Sequence, residues 1–224
     1  MLPISDADED LFATAVAAVR IGRVGAIIER LRTRYDEEWD DPLAGLPYAM
    51  AMLAVLLSGR ADLLKEMNYT DIVETLGDVL HHQPDHWLSR YLRIHARVLL
   101  PDGEYALYIA AERSKAVADA EELIERQSRT AWQPWFASTY LVAARLAWQS
   151  ERKDRDRVAA LVTAAAARPC APIRFPSLGS VMCGAFLWYR AQPELPERDT
   201  VRAMMEALFP GQPAVRRQRA SRIT

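Results

Sequence analysis

Apolar residues recur every three or four positions along most of this chain, a spacing that places them on one face of an α-helix. Asp6 is placed to cap the first apolar segment, and proline or glycine marks the end of most later ones. No run alternates apolar and polar residues for long enough to predict a strand. The pattern therefore predicts an all-α fold of short helices joined by short loops.

The segment 48–57 is apolar on almost every side, which predicts a helix buried in the core. The other segments have one apolar face each, as expected for helices that pack against neighbours. They cover residues 6–20, 24–36, 62–67, 70–81, 87–100, 105–127, 134–150, 157–167, 177–190 and 199–209.

One pattern occurs twice in the chain. A helix ends, a short polar loop with glutamine and proline follows, and the next helix begins with aromatic residues, first Trp87 and Tyr91 and then Trp135 and Tyr140. The two tyrosines lie 49 residues apart, a spacing that suits a pair of helices with their loops. This recurrence predicts antiparallel helical hairpins stacked on one another.

The hairpin from residue 141 to residue 169 carries the residues for a more specific comparison. Trp148 lies in its first helix, Leu161 and Ala164 lie in its second helix, and Pro169 ends it. These are the large aromatic, large, small and terminating positions of a tetratricopeptide (TPR) repeat, and the hairpin resembles that family.

Two positions depart from the TPR pattern, because Arg145 replaces its early glycine and Arg157 replaces its central alanine. The resemblance implies a right-handed solenoid whose helices form a binding surface, or otherwise a compact helical array. The helical pattern along the whole chain predicts a single all-α domain over residues 1–209, and residues 210–224 form a basic tail that we expect to be flexible.

The composition limits which classes of partner and which cellular compartment we expect for this chain. The net charge of −2 gives no electrostatic reason to expect binding to nucleic acid or to an anionic membrane. No apolar run reaches the roughly 18 residues needed for a membrane span, and the N-terminus lacks the basic and apolar regions of a signal peptide. Cys170 and Cys183 are read as reduced thiols. We expect a cytoplasmic protein.

Two clusters could carry chemistry. The four histidines are all within His81–His95, but Pro84 interrupts the helix that would align them as metal ligands. The acidic run Asp36–Asp41 is read as a solvated helix end, with docking of a basic partner around Trp39 as the alternative. Phosphate-binding loops, nucleophile elbows and Cys-x-x-Cys pairs do not occur. We therefore predict no catalytic residue, no metal site and no cofactor.

The sequence predicts a noncatalytic binding or scaffold protein that recognises a protein or peptide through its helical surface. The candidate binding residues are the recurring aromatic residues and the loop tryptophan, namely Trp87, Tyr91, Trp132, Trp135 and Tyr140. For each of them, packing between helices is an alternative role.

The alternative function is a small all-α enzyme or ligand carrier with an apolar pocket between helices, serving a biosynthetic pathway and binding a small molecule. Convergence of polar side chains with acids in a closed pocket would favour this alternative. The side chains that distinguish the two functions are those of Tyr91, His95, Arg97, Tyr105, Tyr108 and Arg113.

Overall fold

The computed structural model describes residues 3–38, 40–41, 43–59, 69–99, 106–150 and 152–212. Over these ranges ten helices account for 75 % of the residues and there is no strand, so the all-α prediction is confirmed. None of the helices within the described ranges is both long enough and apolar enough to cross a membrane. The predicted short helix at 62–67, Trp39, Tyr105 and the arginines of the C-terminal tail lie outside the described residues.

The helices are numbered in chain order. They are α1 (Asp6–Arg20), α2 (Val24–Glu37), α3 (Gly45–Ser58), α4 (Tyr69–His82), α5 (Trp87–Val98), α6 (Ala106–Ser128), α7 (Phe136–Gln149), α8 (Arg155–Ala166), α9 (Pro176–Ala191) and α10 (Arg198–Leu208).

The chain divides into two compact units, Met1–Asp119 and Ala120–Thr224, with the boundary inside α6. The prediction of one domain over residues 1–209 stays a prediction. In the N-terminal unit α3 packs against α1, α2, α4 and α5. Because α3 has neighbours on so many sides, ten of its fourteen residues are buried, which explains why its sequence is apolar around most of the helix.

The N-cap of the first helix lies one residue earlier than the sequence suggested. Ser5, and not Asp6, is the N-cap of α1, and its hydroxyl accepts a hydrogen bond from the Asp8 amide at 3.2 Å. The Asp8 carboxylate accepts in return from the Ser5 amide at 2.8 Å. This reciprocal arrangement is a capping box, so the predicted Asp6 cap is wrong.

Gly45 marks a close approach of three helices in the N-terminal unit. A Cβ atom at this position would lie 2.6 Å from Cγ2 of Thr75 in α4 and 3.1 Å from Cε2 of Tyr35 in α2. The Thr75 side chain is short, β-branched and buried, so it has little freedom to move away. The absence of a side chain at Gly45 therefore lets α3 start against α2 and α4.

We expect Gly45→Ala to lower the free energy of unfolding by roughly 1–3 kcal/mol, because it overpacks a filled site. The matched control is Gly25→Ala in α2, where nothing lies within 4 Å of the added Cβ. That control should be neutral or stabilising by about 0.5–1 kcal/mol, since alanine has a higher helix propensity than glycine. Urea denaturation of both variants tests the expectation, and equal changes in the two would contradict it.

The C-terminal unit contains two helical hairpins, α7 with α8 and α9 with α10. The first helices of the two hairpins, α7 and α9, contact each other, and so do the second helices, α8 and α10. Trp135, just before α7, lies against Phe175, just before α9, and Arg145 near the end of α7 lies against Trp188 near the end of α9. The two first helices therefore run in the same direction, and the two hairpins stack side by side.

Candidate functional site

Four of the five predicted binding residues are buried. The exposed fraction is 1 % for Trp87, 0 % for Tyr91, 8 % for Trp135 and 7 % for Tyr140, whereas Trp132 is half-buried. Trp87 and Tyr91 belong to the N-terminal unit, and the other three belong to the C-terminal unit. The structure therefore gives the four buried residues a packing role, and their part in binding stays a prediction.

Trp87, Tyr91 and His95 form a row of contacting rings along a buried face of α5. The rings of Trp87 and Tyr91 are nearly parallel, with centroids 4.6 Å apart, and the centroids of Tyr91 and His95 are also 4.6 Å apart. Their spacing of four residues places one ring above the next on a helix. The recurring aromatic start of this helix is thus part of the core of the N-terminal unit.

Three arginines on another face of α5 converge on one carboxylate of α6. The Arg93 side chain donates to Asp119 from Nε at 2.9 Å and from Nη2 at 2.6 Å, and Nη1 of Arg90 donates to Asp119 at 3.2 Å. Nη1 of Arg97 also pairs with the Asp119 carboxylate. All four side chains are at most 16 % exposed. We call Arg90, Arg93, Arg97 and Asp119 the arginine cluster.

Glu112 extends the arginine cluster by one more ion pair. Its carboxylate accepts from Nε of Arg97 at 2.9 Å and from Nζ of Lys115 at 2.6 Å. Burial favours the protonated carboxyl, but the hydrogen bonds from Lys115 and Arg97 outweigh it and lower the pKa of Glu112. Arg97 therefore meets two acids in the interior, and these groups are engaged with one another.

Trp135 and Tyr140 pack inside the C-terminal unit. Trp135 meets Phe136 and Phe175 in edge-to-face contacts, with ring centroids 6.1 and 5.7 Å apart. Burial raises the pKa of the Tyr140 phenol, as expected for a hydroxyl surrounded by helices. These rings hold the start of α7 against the start of α9.

Trp132 is the predicted residue that reaches the surface. Its indole Nε1 donates to the carbonyl oxygen of Pro169 at 3.0 Å, and the guanidinium of Arg168 lies 5.6 Å from the ring centroid. Phe136 supports the ring from below in an edge-to-face contact. The loop tryptophan is thus held in place in a half-buried position.

The binding residues predicted from the sequence did not include two further half-buried tryptophans, Trp148 and Trp188. The guanidinium of Arg145 lies 5.1 Å from the ring centroid of Trp188, and Nζ of Lys153 lies 5.2 Å from that of Trp148. Arg145 and Trp148 are three residues apart on α7, so they are neighbours on its surface. We call Arg145, Trp148, Lys153 and Trp188 the tryptophan surface. The sequence contains a signal for this surface, because the basic residues Arg145 and Lys153 lie three positions before and five positions after Trp148.

The histidines do not gather around a common point. His81 and His82 are exposed, and Nδ1 of His82 lies 3.0 Å from the carbonyl oxygen of Asp78. His86 caps α5 by accepting from the Ser89 amide at 3.2 Å, and burial lowers its pKa. Within the described ranges no three His, Cys, Asp or Glu side chains are placed to hold a metal ion together.

The acidic run borders a cavity of about 340 Å³ in the N-terminal unit. Asp36 and Asp41 line it together with Asp78 and His82 of α4. The Tyr35 hydroxyl donates to Asp78 at 2.5 Å, and burial with this hydrogen bond raises the pKa of Tyr35. The hydrogen bond between Tyr35 and Asp78 thus links α2 to α4 at the edge of the cavity. Docking of a basic partner at the acidic run stays a prediction.

Comparison of the chain with protein-family models, with curated proteins and with solved structures found no match.

Proposed function

We propose that this chain is a noncatalytic binding or scaffold protein that recognises a protein or peptide through the tryptophan surface of its C-terminal unit. The observation that carries the proposal is that Trp148 and Trp188 are only half-buried and each has a cation over its ring. Tryptophan and arginine are enriched among the residues that contribute most to protein interfaces. A tryptophan side chain has only two rotatable bonds, so little side-chain entropy is lost when it is held in an interface.

The stacking of the hairpins supports a TPR-like arrangement as the finer form of this proposal. The first helices α7 and α9 lie side by side and run in the same direction. Residues 136–144 of α7 are buried, and its half-buried Arg145 contacts the half-buried Trp188 near the ends of the two helices. Helical-repeat proteins bind extended partners through surfaces that neighbouring repeats build together, and this contact supports a tryptophan surface of that kind.

The test is affinity capture from the native host with the wild-type chain and with Trp188→Ala, followed by identification of both proteins and small molecules. We expect the wild-type chain to capture a protein partner. Trp188→Ala should weaken the binding of that partner by about 2 kcal/mol or more, with little change in the melting temperature of the chain. The matched control is Ile21→Ala, which removes an apolar side chain that is 68 % exposed in the N-terminal unit. Equal binding by Trp188→Ala and the wild-type chain would contradict the assignment of this surface.

The alternative, an enzyme or ligand carrier, is favoured by one observation, the convergence of Arg97 with Glu112 and Asp119 in the interior. Tyr91 and His95 are buried on the same helix. These side chains are packed and the charged ones pair with one another, which favours a structural role for them. Recovery of a small molecule in the capture experiment, without a protein partner, would support the alternative and contradict the scaffold proposal.

A further inference from the structure

A cavity of about 500 Å³ lies between the end of α9 and the start of α10 in the C-terminal unit. Its lining includes three arginines from the two helices, Arg190, Arg198 and Arg202, and the buried side chain of Leu195. Small-molecule sites typically have volumes of about 300–1,000 Å³. The cavity is therefore large enough for a small ligand, and its wall brings together cationic groups that are separate in sequence.

Contacts with the protein hold two of the guanidinium groups in place but leave them donors for a ligand. Nη2 of Arg198 donates to the carbonyl oxygen of Arg190 at 3.0 Å, and Nη2 of Arg202 pairs with Asp199 at 2.7 Å. A guanidinium has five N–H donors, so one such contact leaves others to point at a ligand. The planar fork of these donors matches the oxygens of a phosphate.

Two carboxylates also line the cavity, and both are engaged locally. Glu197 accepts from the Thr200 hydroxyl at 3.0 Å, while Asp199 pairs with Arg202. The side chains of that pair are 85 % and 37 % exposed, so solvent screens their attraction and a better anion can replace Asp199. Three arginines and two carboxylates thus line the cavity.

We propose that the cavity between α9 and α10 binds the phosphate group of a small molecule. Arg190, Arg198 and Arg202 contact the phosphate oxygens, and Leu195 lies beside the part of the ligand that carries no charge. This site is separate from the tryptophan surface, since Arg190 lines the cavity beside α10 whereas Trp188 lies against Arg145 of α7.

The test is isothermal titration calorimetry with inorganic phosphate and with phenyl phosphate as probes. We expect binding by the wild-type chain, and at least tenfold weaker binding by Arg198→Gln and by Arg202→Gln. The matched control is Arg157→Gln, which removes an exposed arginine of the same unit that pairs with Glu121 at 3.5 Å outside the cavity. This control should bind as the wild-type chain does.

A second pair of variants tests the role of Asp199. Asp199→Asn should bind phenyl phosphate more tightly, because it releases Arg202, whereas Asp156→Asn in α8 should not change the affinity. Tighter binding of phenyl phosphate than of inorganic phosphate assigns an organic phosphate, equal affinity assigns inorganic phosphate, and both support the site. No binding of either probe, or equal losses in Arg157→Gln and Arg198→Gln, would overturn it.

Discussion

Trp87→Ala is expected to lower the free energy of unfolding by about 3–5 kcal/mol, the range for removing a fully buried tryptophan. The Trp87 ring is 1 % exposed and stacks on Tyr91, so truncation leaves a cavity that its neighbours fill only in part. Urea denaturation monitored by circular dichroism measures the change. A loss this large is a substantial fraction of the stability of an ordinary domain.

Trp132→Ala is the comparison for Trp87→Ala, because it removes the same side chain from a half-buried position in a loop. Trp132→Ala should lower the free energy of unfolding clearly less than Trp87→Ala does, since folding buries less of the Trp132 ring. Trp135→Ala should resemble Trp87→Ala, because Trp135 is also buried. If both buried variants lose their fold, neither Trp87 nor Trp135 is a surface anchor, and the prediction that these two residues bind a partner is wrong. An unchanged melting temperature in Trp87→Ala would contradict its packing role.

The positions of the helices could be predicted from sequence because the signals are local. Pro176 opens α9 within one residue of the predicted start, and Gly59, with φ +65°, ends α3 as a glycine at a helix terminus does. The Ser5 cap was missed although it follows a local rule, because the reciprocal pair with Asp8 begins one residue before the acidic run. Local chemistry thus accounts for most helix ends to within one or two residues.

The roles of the aromatic residues could not be predicted to the same extent. A tryptophan at a helix start has the same sequence signature whether it faces a neighbouring helix or solvent. Trp132 and Trp135 are three residues apart, yet one is half-buried and the other is 8 % exposed. What separates them is the position of Phe175, which follows in sequence about forty residues later and covers Trp135. Burial therefore depends on tertiary contacts that the local pattern does not contain.

The arginine cluster was missed for a similar reason. Arg90, Arg93 and Arg97 lie at spacings of three and four on one face of α5, a pattern that by itself describes a solvated surface. Asp119 follows more than twenty residues later on another helix, and its pairing with all three arginines requires α6 to fold back beside α5. The one available signal was an unusually basic helix face followed by acids seven residues apart on the next helix, at Glu112 and Asp119.

The second large effect is expected for Asp119→Asn, which should lower the free energy of unfolding by about 3–5 kcal/mol, the cost of breaking a buried ion pair. Asparagine has nearly the same shape, so packing changes little and charge changes most. Three guanidinium groups, each at most 16 % exposed, would then lie close together without their shared carboxylate. Urea denaturation at neutral pH measures the loss.

Glu121→Gln is the matched control for Asp119→Asn, because it removes a carboxylate from the same helix where the pair with Arg157 is exposed. Such pairs contribute about 0–1 kcal/mol, so this variant should unfold almost as the wild-type chain does. The cluster also predicts coupling. In the Asp119→Asn background, Arg93→Met should cost less than it does alone, since it removes one of the repelling charges. Additive effects of the two substitutions, or equal stabilities of Asp119→Asn and Glu121→Gln, would show that Asp119 does not hold α5 and α6 together through charge.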